Sequence, residues 1–253
     1  MASWLAVAAL SVAGCTAPDD VQQAAMVVGQ ARAVEGVGVE APEVRYCEYF
    51  MPQSSGSLRV VYYRPEGPAG SKIAEKWITE GEGASGILQR ARPQVSQEDF
   101  RMGEVRQASL LPEGWKLRYK PRTGAKFRDA TFAEGRVDVV DAGFDAYVRQ
   151  HWQALTRGEK LEFEFASPVH GRTVGLRAAA VPCQRQEADL CIRVDLAQAF
   201  LRWIAGGDIY LEYVIQRTEG KTEPRLLRFV GVTNLLDDGG DSQRLVLDYF
   251  YRE

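Results

Sequence analysis

Residues 160–165 read KLEFEF. Leu161, Phe163 and Phe165 fall on one side of an extended chain and Glu162 and Glu164 on the other, because successive side chains of a strand point to opposite faces. The same period of two recurs in LRVVYYR (58–64), WKLRYK (115–120), DIYLEYVIQ (208–216) and RLVLDYFY (244–251). Strict alternation marks strands with one buried and one solvated face, the pattern of an antiparallel sheet. Turn signals separate the runs: RPEGPAGS (64–71), PRTG (121–124), RTEGKTEP (217–224) and DDGGDS (237–242). Hairpins should therefore follow one another. A sheet of more than about eight strands tends to curl. The fold class expected is mainly β: a curved antiparallel sheet, half-barrel or barrel-like.

One stretch changes period. In DAGFDAYVRQHWQALTRG (141–158), Phe144, Tyr147, Val148, His151, Trp152 and Leu155 recur at helical spacing. Asp141 and Asp145 suit the positive N-terminal end, and Arg157 with Gly158 suits the close. This stripe predicts one α-helix packed on the sheet. A short second helix is expected through AQAFLRWIAGG (197–207), ended by Gly206 and Gly207.

The chain opens differently. From Trp4 to Val12 it is apolar apart from Ser11, too short for a span of about 20 residues but long enough for a secretory signal core. Val12, Ala13 and Gly14 lead into Cys15, a pattern that resembles a bacterial lipobox. No Lys or Arg precedes Trp4, where a signal carries its basic region. The reading is a signal peptide over 1–14, a lipid anchor at Cys15 with a tether to residue 43, and one β-rich domain over 44–253. The anchor would make the membrane a partner, and Thr16 rather than Asp after the cysteine fits the periplasmic face of the outer membrane. Two or three acyl chains, at about 0.8 kcal/mol per buried methylene, would hold it there.

The other cysteines fit an oxidising compartment. CQRQEADLC (183–191) closes a small loop between two strand-like runs, so Cys183 and Cys191 are expected to bridge a hairpin. Cys47 is then left as a buried thiol. The net charge of −3 argues against a nucleic-acid partner, and no metal or cofactor motif is present. GKT at 220–222 lacks the first glycine of a phosphate loop, since Ile215 stands there. DDGGD (237–241) reads as a tight turn rather than a calcium loop. His151 and His170 are the only histidines; the first lies on the apolar helix face and the second in a turn. Nothing points to a catalytic group.

VYYRPEG (61–67), SKIAEKWI (71–78), EDFRMGE (98–104), the run from VVDAGFDAYVRQHW (139–152) to KLEFEF, and RLLRFVGVTNLLDDGG (225–240) together resemble an uncharacterised family of proteobacterial periplasmic and outer-membrane lipoproteins. That resemblance implies an envelope location and β-rich character, and no activity.

Two surfaces are left for function. Aromatic side chains under the helix, with Phe144, Tyr147, Trp152 and Trp203 as candidates, would line a pocket for a lipid or other hydrophobic ligand. Lys116, Arg118 and Lys120 alternate on one strand face and would meet anionic head groups. The alternative is a non-catalytic envelope interaction or scaffold protein with a filled core.

Overall fold

The computed structural model describes residues 10–34, 43–79, 91–197, 207–218 and 221–252. A single sheet of fifteen strands dominates it. The strands are β1 (Val27–Ala33), β2 (Val44–Pro52), β3 (Leu58–Arg64), β4 (Ser71–Thr79), β5 (Gln94–Asp99), β6 (Glu104–Leu111), β7 (Gly114–Lys120), β8 (Arg128–Phe132), β9 (Val139–Val140), β10 (Leu161–Ser167), β11 (Arg172–Val181), β12 (Leu190–Leu196), β13 (Ile209–Thr218), β14 (Lys221–Leu236) and β15 (Ser242–Tyr251). All neighbours are antiparallel except β9 with β10. The expected curved antiparallel sheet is present.

The strand order is a meander with one twist. The first and last strands pair in the middle of the sheet, Gly29 opposite Tyr249 and Ala31 opposite Leu247. The sheet is interrupted in mid-chain instead, between β8 and β9. Those edges share no ladder, but they approach. Ala108, Trp115 and Leu117 share a buried cluster with Val137, Val140 and Ala166, and Ala130 Cβ would lie 3.7 Å from a Cβ at Gly171. The sheet thus curls almost round on itself.

The helical stretch enters at this seam. The single helix expected is found as a 3₁₀ turn (Asp141–Gly143), α2 (Phe144–Gln150) and α3 (Trp152–Thr156), which meet at His151, outside helical geometry at φ −104°. Gly143 is required at the entry: a Cβ there would stand 2.0 Å from the Ala91 carbonyl oxygen. The stripe of Phe144, Tyr147, Val148, Trp152 and Leu155 faces the concave side of β9–β13. The second helix anticipated from the sequence, and Trp203 with it, lie outside the described residues.

The N-terminal reading needs correction. Within the expected tether of residues 15–43, the described residues 15–34 are part of the fold. A short helix, α1 (Asp19–Ala24), and strand β1 belong to the domain. β1 escaped notice because Gly29 and Ala31 on its inner face carry almost no apolar signal. Val12, Ala17, Val21 and Ala25 cover the outer face of β1–β3, where Val28, Cys47, Tyr49, Met51, Val61 and Tyr63 are buried beneath them. Cys15 is bonded to Cys47, with Cα atoms 5.7 Å apart. Cys47 is therefore not a free thiol. A sulfur that forms this bridge cannot also carry a diacylglyceryl thioether, so in this structure the Cys15 anchor, and the membrane attachment it would provide, give way to a disulfide. Residues 1–9 of the expected signal peptide lie outside the described residues. Cys183 and Cys191 are joined as expected.

Candidate binding site

The concave side splits into two chemically distinct halves. Against β9–β13 it is filled with rings. Phe144 stacks on Phe165 at 4.9 Å and meets Phe163 edge-on at 6.0 Å; Tyr147 lies 4.5 Å from Phe163, and Trp152 meets Tyr213 edge-on at 5.5 Å. Leu155, Ile192 and Leu211 close the remaining space. Of the pocket candidates under the helix, Tyr147 also lines the cleft at the seam, and Trp203 lies outside the described residues. Phe144, Tyr147 and Trp152 pack against the inward rings Phe163, Phe165 and Tyr213 of β10 and β13.

Against β2–β6 the concave side combines an apolar cluster, with Tyr46, Leu58, Val60, Tyr62, Ala74 and Ile78, with buried polar and charged groups. Glu48, Lys76, Gln97, Asp99, Glu104 and Arg106 are all buried. Lys76 Nζ lies 3.1 Å from an Asp141 carboxylate oxygen, and so ties the entry of α2 to the sheet wall. Asp141 holds this position at φ +44°, a left-handed conformation uncommon for a non-glycine residue. Burial pushes the Glu48 carboxyl up to about 7, opposed by Lys76 and reinforced by Asp141. Asp99 receives Arg101, and Glu104 receives Arg106 at 2.8 Å. The Gln97 amide donates to the Asn234 carbonyl oxygen, where β14 leaves the ladder and folds inward. The sequence does signal this half: Lys76 stands between Ala74 and Ile78 on a face that is otherwise apolar.

Open space lies at the rim and outside. A cleft of about 500 Å³ follows the seam, lined by Arg92, Trp115, Asp138, Tyr147 and His151. Its groups are largely engaged with the protein: Asp138 accepts from the Glu164 backbone N–H at 2.8 Å, the His151 ring lies 4.5 Å from Tyr147, and Arg92 pairs with Glu134. The other histidine, His170, sits in the turn after β10, its pKa lowered by burial and by Arg172 and Arg128. It does not line the cleft, so the structure does not bring the two histidines together there.

A larger groove, about 590 Å³, lies between the N-terminal segment and β13–β15. Leu10, Val12, Ile215, Leu227 and Phe250 give it apolar walls, and Arg217 and Arg225 stand among them. Phe250 is 40% exposed. The Arg225 guanidinium lies 4.9 Å over the Tyr251 ring. Sequence reasoning missed this groove because it joins segments more than 200 residues apart. The available signal was Phe250, an aromatic residue on the solvent side of an alternating strand.

The basic face of β7 is on the outside, as the alternation implies. Lys116 and Arg118 both reach Asp129, at 3.4 and 3.3 Å, and Arg118 packs on Phe127, with Lys120 also over that ring. Its charge is partly answered from within the sheet. DDGGD forms a turn in which the Asp237 carboxylate accepts from Gly239 and Asp241, while Asp238 pairs with Arg64 and Arg101. Among the described residues, no group of His, Cys, Asp and Glu could hold a metal ion. Among the described residues, no helix is long and apolar enough to cross a membrane.

No family model matches the chain, and no curated protein matches it. Among solved structures it is similar to a porin-like protein from Bacteroides uniformis ATCC 8492, with 9% identity over 94% of this chain and 99% of that one, at a TM-score of 0.30. That likeness is too slight to bear on function.

Proposed function

We propose that this protein is a non-catalytic binding protein of an oxidising envelope compartment, and that its ligand meets the groove between the N-terminal segment and β13–β15 rather than the space beneath the helix. The observation that carries the reading is the location of open apolar surface. The space beneath the helix is occupied by Phe144, Tyr147, Trp152 and their partners, whereas the 590 Å³ groove is walled by apolar side chains and exposes Phe250. A volume of that size lies within the ~300–1,000 Å³ of ligand sites. Two disulfides among four cysteines support a compartment where such bonds persist.

Titration with the neutral hydrophobic dye N-phenyl-1-naphthylamine tests this reading. Saturable binding is expected, to be abolished by Phe250→Glu and retained in Phe144→Leu. Binding that survives Phe250→Glu, or no binding at all, overturns it.

A further inference from the structure

The geometry points to a ligand class for the outer groove: an amphiphile with an apolar chain and an anionic head, a carboxylate or a phosphate. This inference rests on the binding function proposed above and adds the charge of the ligand to it. The apolar part follows from the walls. Leu10 and Val12 on one side and Val214, Ile215, Leu227 and Phe250 on the other supply apolar contact, beside the polar side chains of Ser11 and Gln216.

The anionic part follows from the arginines. Most guanidinium groups of this protein are answered by carboxylates. On the neighbouring strands Arg32 and Arg228 share Asp248, and Arg185 reaches it as well. Arg217 and Arg225 differ: among the described residues neither has a carboxylate within ion-pair distance, and both line the groove. Arg225 is steadied by the Tyr251 ring, whose hydroxyl in turn donates to the Leu226 carbonyl oxygen. A guanidinium stacked on an aromatic face keeps its N–H edge for an anion, and its planar fork matches carboxylate and phosphate oxygens. Two such groups beside an apolar trough form a surface with a positive end and a greasy floor.

Displacement of N-phenyl-1-naphthylamine from the full disulfide-bonded chain by dodecanoate, dodecyl phosphate and dodecanol provides the test. Both anions are expected to displace the dye, and dodecanol to need about 10- to 100-fold more, the worth of one or two charge-assisted hydrogen bonds. The double variant Arg217→Gln, Arg225→Gln should bring the anions down to the level of dodecanol, each read as displacement relative to the variant's own dye affinity. The order of dodecanoate and dodecyl phosphate identifies the preferred head group. Equal displacement by alcohol and anions, or anion affinity unmoved by the double variant, overturns the inference. If Phe250→Glu still abolishes dye binding in that case, the groove remains the binding site and only its charge preference is wrong. Dye binding indifferent to Phe250→Glu would mean that the groove reading itself has failed.

Discussion

Replacing Glu48 with Gln should make this protein more stable at alkaline pH and nearly unchanged at acid pH. Glu48 is buried on the concave side of β2, beside the Lys76–Asp141 pair. With Glu48 ionised, two carboxylates face one ammonium in a region shielded from water. With Glu48 protonated, the cluster is neutral. Burial accordingly lifts the carboxyl from 4.5 to about 7, with Asp141 adding to the rise and Lys76 opposing it. In the unfolded chain the group returns to its ordinary value. Between those two values the folded state holds a proton that the unfolded state has released, so stability falls as pH rises. The full difference is ~3 kcal/mol, reached above the folded value and absent well below the unfolded one. Gln keeps the shape and loses the titration. Urea unfolding of both proteins at pH 5 and pH 8 isolates the effect, because every other titrating group cancels in the comparison. The gain from Glu48→Gln should be larger by ~2–3 kcal/mol at pH 8 than at pH 5. An equal effect at both pH values would refute the reasoning, since it would mean that Glu48 carries its ordinary carboxyl pKa in the fold.

Further consequences concern the same architecture. Lys76→Met leaves Asp141 buried without its cation and should cost ~3–5 kcal/mol, more at pH 8 than at pH 5, as read from paired urea curves. In the folded, oxidised protein, alkylation followed by mass spectrometry should find no reactive thiol. Cys47→Ser should expose Cys15 and lower stability by ~3–4 kcal/mol, the chain-entropy worth of a loop closed over 32 residues; a lipid adduct at Cys15 would contradict the bridge. Leu155→Ala, at a fully buried position, should cost ~2–5 kcal/mol. Trp152→Ala, at a half-buried one, should cost less, and thermal unfolding orders the two.

Alternation alone was enough to read the sheet, because a strand with one wet face must write its burial into every second residue. KLEFEF and DIYLEYVIQ did so, and their inward residues Phe163, Phe165, Leu211 and Tyr213 are the ones that meet the helix. The helix was legible for the same reason at a different period. What escaped were features that depend on both faces of a strand being covered. In β1 the inner positions Gly29 and Ala31 are small, and the outer ones, Val28 and Gln30, lie under the N-terminal segment. No alternation survives such treatment. The cysteine pairing failed through locality: Cys183 and Cys191 are eight residues apart and announce their hairpin, whereas Cys15 and Cys47 meet only because the N-terminal segment crosses the back of β2. The outer groove was hidden likewise, since its two arginines belong to adjoining strands of one hairpin and two of its apolar residues, Leu10 and Val12, to the start of the chain.

The placement of the seam explains why the interior has two characters. A curled meander closed by its own terminal strands has every edge satisfied except where the chain departs to form a helix. That departure occurs after β8, and the helix returns through β9 onto β10. Its aromatic stripe then covers the half of the sheet on the β9 side, which is why the inward residues of β10–β13 are large and apolar. The half on the β8 side receives no such cover from the helix. Its inward face combines apolar residues of β2–β4, Tyr46, Val60 and Ile78 among them, with the buried pairs Lys76–Asp141, Glu104–Arg106 and Asp99–Arg101, beside the inward fold of β14 at Asn234. Apolar residues in those positions would fill the space equally well, and a buried ion network often contributes little net stability. What the network does specify is where the plug sits: Lys76 has its partner only when Asp141 enters at the seam, so the polar half fixes the register of the apolar one.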